Sequence, residues 1–316
     1  MKRLIPCPEN VAPSAASPSP GVGFKPLRRH GLLAAGAALL SGCSGVQALD
    51  ALVPDHDYRL DAGLPYGDDS RQRIDVYRPL EEAAQGAPKP PLVVFFYGGN
   101  WSNGDRADYR FVGEALASAG AVVAIPDYRL SPAVRYPVFL EDCARAVRWA
   151  VDHAELYGTD PSRLVLMGHS AGAYNAAMLA LDPRWLGAVG LSPQNVSAWI
   201  GMAGPYEFLP IDEPLTQVAF NWPNTPADSQ PIVHVTPKSP PALLLAAEKD
   251  DTVDPQRNTA ALAERLQQAG VQVSARFYPR VSHATLAGSL GTPLRWLAPV
   301  RRDILRFLGL ESGASR

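Results

Sequence analysis

Apolar residues along this chain fall into two alternating patterns. Short unbroken runs bounded by Pro, Gly or Asp occur at 92–96 (LVVFF), 121–128 (AVVAIPDY), 162–168 (SRLVLMG), 196–204 (VSAWIGMAG) and 242–247 (ALLLAA). Runs of that length fit strands buried on both faces, as in a parallel sheet. Between them, 105–119, 136–156, 171–181 and 255–269 read as helices. The amphipathic spacing is clearest where Phe139, Cys143, Val147, Ala150 and Val151 recur. A strand at 271–279 and a helix at 294–309 complete the series. Ahead of it, 56–78 holds two short β-like stretches separated by a Gly/Asp turn, an antiparallel edge. Strand and helix alternate along nearly the whole length, which predicts a doubly wound, mostly parallel α/β sheet. No internal repeat is visible, and no linker divides the stretch 56–312. Segment 205–241 carries nine prolines; it predicts an irregular cap or rim, with a plain surface excursion as the alternative.

The first 42 residues depart from this pattern. Residues 1–26 are rich in Pro, Ser and Ala without apolar periodicity and read as disordered, or as preceding the true start. Arg28 and Arg29 then precede an apolar run from Leu32 to Leu40 that is too short to span a bilayer, followed by Ser41-Gly42-Cys43. Leu40-Ser41-Gly42-Cys43 resembles the lipobox of bacterial lipoproteins, in which the cysteine is acylated and becomes the new N-terminus. The resemblance implies a lipid anchor at Cys43 and a tether over 43–55. Ser44 resembles a signal for the outer membrane, on its periplasmic side. An ordinary signal peptide, giving a secreted or periplasmic protein, is the alternative. Removing residues 1–42 takes away five basic residues and one acidic one, leaving 24 basic and 30 acidic side chains, a net charge of −6. Nothing basic clusters along the sequence, which argues against a nucleic-acid partner. Cys143 is left as a lone thiol, expected to be a small buried apolar residue.

The candidate chemistry sits where predicted strands end, the place where open parallel sheets bind ligands. Gly168-His169-Ser170-Ala171-Gly172 arises by chance in roughly one chain in ten of this length, so its context has to decide. Here a buried strand runs into the serine and a helix starts at once, the context of a nucleophile elbow. Gly168 and Gly172 suit the close approach of strand and helix, and the Ala171 N–H at the helix start can face a developing oxyanion. Strand 92–96 ends in Tyr97-Gly98-Gly99-Asn100-Trp101, where the Gly99 and Asn100 amides can join Ala171. Strand 242–247 ends in Glu248-Lys249-Asp250-Asp251-Thr252-Val253-Asp254. Asp250 stands nearest the strand end, whereas Asp251 and Asp254 suit caps for the helix near Pro255. In elbow-type sites the triad runs serine, acid, histidine along the chain. Only His283, in a predicted loop after the last strand, follows all three aspartates.

These segments resemble the α/β-hydrolase superfamily, and within it the esterase branch of hormone-sensitive-lipase-like and feruloyl/acetyl-esterase-like (BD-FAE-like) enzymes, over about residues 70–310. VFFYGGNW resembles that branch's HGGxW segment, with Tyr97 where the family usually has His. AIPDYRLSP with YPVFLEDCARAVRWA, GTDPSRLVLMGHSAG and SPPALLLAAEKDDTV resemble its other blocks, with Ala246-Ala247 in place of a His-Gly pair. The resemblance implies a serine carboxylesterase that takes a small-molecule or glycan-linked ester and needs no metal or organic cofactor. Ser170, Asp250 and His283 would form its triad, with Gly99, Asn100 and Ala171 as oxyanion donors. The long N-terminal cap of lipase-like members is not recognisable, which implies an accessible cleft. An arylformamidase-type amidase and an inactive tethered binding protein are the rival readings.

Overall fold

The computed structural model describes residues 49–311 apart from 55 and 82–85; the leader and Cys43, with the tether as far as residue 48, lie outside the described residues. The elements follow in order: β1 (Arg59–Pro65), β2 (Arg73–Arg78), β3 (Pro91–Phe96), α1 (Arg110–Ala117), β4 (Val122–Pro126), α2 (Val138–Asp152), β5 (Asp160–His169), α3 (Ala171–Leu181), α4 (Pro183–Gly187) and β6 (Val196–Met202). After these come α5 (Pro214–Ala219), β7 (Ala242–Ala247), α6 (Ala261–Gln268), β8 (Val273–Tyr278), α7 (His283–Gly288) and α8 (Val300–Leu308). Eight strands form a sheet in the order β1-β2-β4-β3-β5-β6-β7-β8. β1 and β2 are antiparallel to their neighbours, and every pairing from β4 to β8 is parallel. The antiparallel edge and parallel centre are those expected from the apolar pattern.

Every residue of β3, β4 and β7 is buried. The apolar runs are unbroken because helices cover both faces of the sheet, and each Val, Leu or Phe contributes roughly 1.5–3 kcal/mol by leaving water. All eleven residues of α3 are buried too. Its Ala-rich sequence lets it lie close against the sheet, which is why it shows no polar stripe.

Two expectations need correction. The predicted helix 294–309 begins only at Val300, after a short 3-10 turn at Thr292–Leu294. Pro299 accounts for this, because a proline inside a helix removes an N–H and clashes with the preceding turn. His283 is not in a loop but opens α7, behind a capping box in which Ser282 accepts from the Thr285 N–H. The proline-rich segment folds as short pieces: α5 and 3-10 turns at Ala227–Ser229 and Pro231–His234. Cys143 is buried and unpaired by disulfide. Among the described residues no helix is long and apolar enough to cross a membrane.

Candidate active site

β5 delivers Ser170 on a strained turn. Its φ of +54° and ψ of −124° lie in a region that L-residues avoid, and its hydroxyl caps no amide of α3. The turn is possible because its neighbours lack side chains. A Cβ on Gly172 would stand 2.0 Å from the Phe96 carbonyl oxygen, and one on Gly168 would stand 2.1 Å from the Gly172 oxygen. Gly98 plays the same part from β3, since a Cβ there would meet the Ser170 Cβ at 2.8 Å.

At the end of β7, Asp250 faces His283. His283 Nδ1 lies 2.8 Å from Asp250 Oδ2, while Asp250 Oδ1 accepts from the Thr252 and Val253 amides, each at 2.9 Å. Burial alone would push the Asp250 carboxyl up, but the hydrogen bond and charge of His283, with those two amides, leave it below the ordinary carboxylate value. With Nδ1–H committed to the carboxylate, His283 keeps Nε2 as its free basic nitrogen. Asp254 caps the turn before α6 by accepting from the Gln256 and Arg257 N–H groups. The three competing aspartates are thereby sorted: Asp250 meets the imidazole, Asp254 holds a helix, and the exposed Asp251 does neither.

His169, inside the elbow pentapeptide, adds a link that the sequence reading missed. It is 7% exposed, its Nε2 lies 3.0 Å from the main-chain oxygen of His283, and the two rings stand 4.9 Å apart. Burial first, and the neighbouring imidazole second, depress its pKa to about 3, so it is neutral. The residue before Ser170 therefore touches His283, which brings serine and histidine into one neighbourhood.

The loop after β3 is strained throughout, with φ of +133° at Gly99, +49° at Asn100 and +56° at Trp101. Trp101 pins it to the core. Its ring packs edge-on against Tyr174 and Phe220, and its Nε1 donates to Asn175 Oδ1 at 3.0 Å. Tyr97 supports the loop from behind, stacked between Tyr109 and Tyr128 at 5.5 and 4.9 Å. Its hydroxyl donates to Asp127 at 2.8 Å and accepts from Arg71 at 2.7 Å. Arg106 binds both Asp127 and Asp75. A tyrosine at this position thus works through buried hydrogen bonds to charges, away from the serine.

Ser170, Ala171 and Asn100 line one cavity of about 230 Å³, walled by Trp101, Phe208 and Ile211 and rimmed by Glu207, Asp212 and Arg257. Gly99 lies just behind Asn100, where a side chain would strike the Asn103 carbonyl oxygen at 2.2 Å. The 205–216 part of the proline-rich segment forms a wall of the cavity.

An eight-stranded sheet with a serine elbow at β5 and a carboxylate–histidine pair beyond β7 and β8 is an α/β-hydrolase. The family model described as BD-FAE matches residues 74–266, and the chain belongs to that family. Among solved structures it resembles esterase B from Lactobacillus rhamnosis, with a TM-score of 0.71 at 20% identity over 88% of this chain and 95% of the other. It is 28% identical to a probable isoprenylcysteine α-carbonyl methylesterase of Arabidopsis thaliana, over 71% of this chain and 50% of that protein. It is also 28% identical to the kynurenine formamidase of Danio rerio, over 80% of this chain and 82% of that one. The chain spans about half the length of the first curated relatives it matches.

Proposed function

We propose that the protein is a serine hydrolase of carboxylic esters. The observation that carries this reading is the strained Ser170 in the same pocket wall as Ala171 and Asn100, with the residue before it, His169, in contact with a histidine that a buried aspartate orients. His283 Nε2 takes the Ser170 proton as Oγ attacks the ester carbonyl carbon. Asp250 holds the ring and stabilises the imidazolium. The Ala171, Asn100 and Gly99 amides receive the oxyanion. The tetrahedral adduct collapses, the alcohol leaves with the proton from His283, and an acyl-enzyme remains. Water, deprotonated by His283, then releases the acid and restores the serine. The cavity is smaller than the 300–1,000 Å³ of pockets for drug-sized ligands, which favours short acyl groups. Two measurements test the reading: hydrolysis of p-nitrophenyl esters of increasing chain length, and labelling of Ser170 by a fluorophosphonate. Unlabelled, folded protein without esterase activity refutes it and favours a binding role.

Hydrolysis of an aryl formamide is the second reading. It is supported by the match to kynurenine formamidase over most of both chains. The same serine and oxyanion donors would serve, and the ratio of kcat/KM for an N-formyl arylamine and for a short aryl ester decides between them. We further place the protein at the cell envelope, tethered through acylated Cys43; the lipobox-like LSGC supports this, and the mass of the mature N-terminal peptide tests it.

A further inference from the structure

Away from the cleft, the C-terminal part of the chain forms a cationic surface: Arg295, Arg301, Arg302 and Arg306 fall within twelve residues, and the fold adds Arg280 and an exposed tryptophan beside them. Arg295, Arg301, Arg302 and Arg306 line one shallow depression between α1 and α8, and Arg280 with Trp296 lines an adjoining one. Among the described residues Glu311 is the only carboxylate lining either. Glu114, Asp303 and Glu311 partner Arg295, Arg302 and Arg306 at 2.8, 3.9 and 3.2 Å, but Arg302 and Arg306 keep side chains 63% and 62% exposed. Among the described residues Arg301 has no carboxylate partner within 4 Å; its Nε donates to the Ala115 carbonyl. Trp296 is 74% exposed at the tip of the turn before α8, the most exposed large apolar side chain among the described residues. Arginines around an exposed tryptophan match a headgroup layer, where the indole sits at the apolar boundary and each cation meets lipid phosphate. This face is cationic in a chain whose residues from 43 onward carry a net charge of −6.

The described chain begins beside this same face. Leu49 is buried against α7 and the turn that follows it; a Cβ on Gly291 would lie 3.1 Å from its Cδ1, and one on Gly288 would lie 3.1 Å from Leu294, the residue before Arg295. Asp50 is fixed to α1, its oxygens accepting from Arg110 and from the Phe111 N–H. Cys43 lies six positions before Leu49 in the sequence, so a fully extended chain would hold it within about 20 Å.

We propose that the Arg280/Arg295/Arg301/Arg302/Arg306 face around Trp296 docks on an anionic bilayer surface and orients the enzyme there. The short distance to Cys43 rests on the tether reading; the charge and the tryptophan do not. Two signals together anchor a protein more stably than either does alone.

The full chain is tested on vesicles of phosphatidylethanolamine and phosphatidylglycerol with brominated acyl chains, against phosphatidylcholine vesicles brominated in the same way. Tryptophan quenching should appear on the anionic vesicles and be largely lost in Trp296→Phe. Arg301→Gln/Arg302→Gln/Arg306→Gln should weaken binding by about 100-fold, given roughly fivefold per arginine at such a surface. Both variants should keep wild-type turnover of a soluble short ester, which verifies their folding. A mass spectrum of the N-terminal peptide reports acylation separately, so loss of the tether leaves the vesicle measurement readable. Quenching that survives Trp296→Phe, or equal quenching on both vesicle types, overturns the proposal. So does capture by a sulfated polysaccharide without vesicle binding.

Discussion

The His169 imidazole and the main-chain oxygen of His283, 3.0 Å apart, tie the elbow strand to the start of α7, the helix that carries the candidate base. The contact fixes the His169 tautomer, because only an N–H can face a carbonyl, and Nε2 must therefore carry the proton. Nδ1 is then a bare acceptor, and it is buried without a partner among the described residues. The arrangement costs free energy, and it joins the end of β5 to the start of α7, beyond β8 at the sheet edge.

The burial of His169 beside the His283 ring predicts acid sensitivity of a definite sign. A histidine with pKa about 3 when folded and 6.5 when unfolded leaves the unfolded chain binding more protons between those values. Stability therefore falls as pH drops from about 6.5 towards 3. Asp250, held below 3.8, adds to the loss only below that value. His169→Gln, which retains a donor for the carbonyl, should flatten urea midpoints between pH 6.5 and 4. It should also keep more activity than His169→Ala. An unchanged acid slope in His169→Gln refutes the assignment.

Ser170→Ala and Ser170→Gly should both lower kcat by about 10⁴-fold or more, since each removes the nucleophile. Their stabilities should part. Alanine at φ +54° is as strained as serine, whereas glycine is at ease there, so Ser170→Gly should be the more stable by about 1 kcal/mol. Denaturant midpoints of the two variants read the difference directly.

Two glycines should fail in different ways. In Gly172→Ala the new methyl group meets main-chain oxygen at 2.0 Å, which no rotamer relieves, and a destabilisation of about 1–3 kcal/mol follows. In Gly98→Ala it presses on the Ser170 Cβ at 2.8 Å instead. Activity should then fall at least tenfold, through displacement of the hydroxyl, for a smaller loss of stability. Paired thermal melts and kinetics of the two variants separate the effects.

Tyr97→Phe should cost about 1–3 kcal/mol, because it strips a buried hydroxyl from Asp127 and Arg71 without removing either charge. The esterase rate should fall less than in Gly98→Ala, since the stacking with Tyr109 and Tyr128 that positions the loop survives. A chemical denaturation curve alongside kcat/KM checks both parts.

Much of this molecule is written locally. Unbroken apolar runs require burial on both faces, so the β3, β4, β5 and β7 strands and the α/β alternation follow from the sequence alone. Gly-His-Ser-Ala-Gly marks the elbow because only glycine leaves room for strand and helix to meet. The late start of α8 was also written there, in Pro299, although the helical spacing of the apolar residues masked it. Tertiary structure decided the rest. Asp250 and His283 are 33 positions apart, Trp101 and Asn175 are 74 apart, and His169 reaches the oxygen of His283 across 114. Which aspartate meets the imidazole depends on how separate strand ends converge, and only the fold brings Arg280 beside Arg295. Side-chain periodicity reports which way a residue faces within its own element; it holds no information on the distance to another.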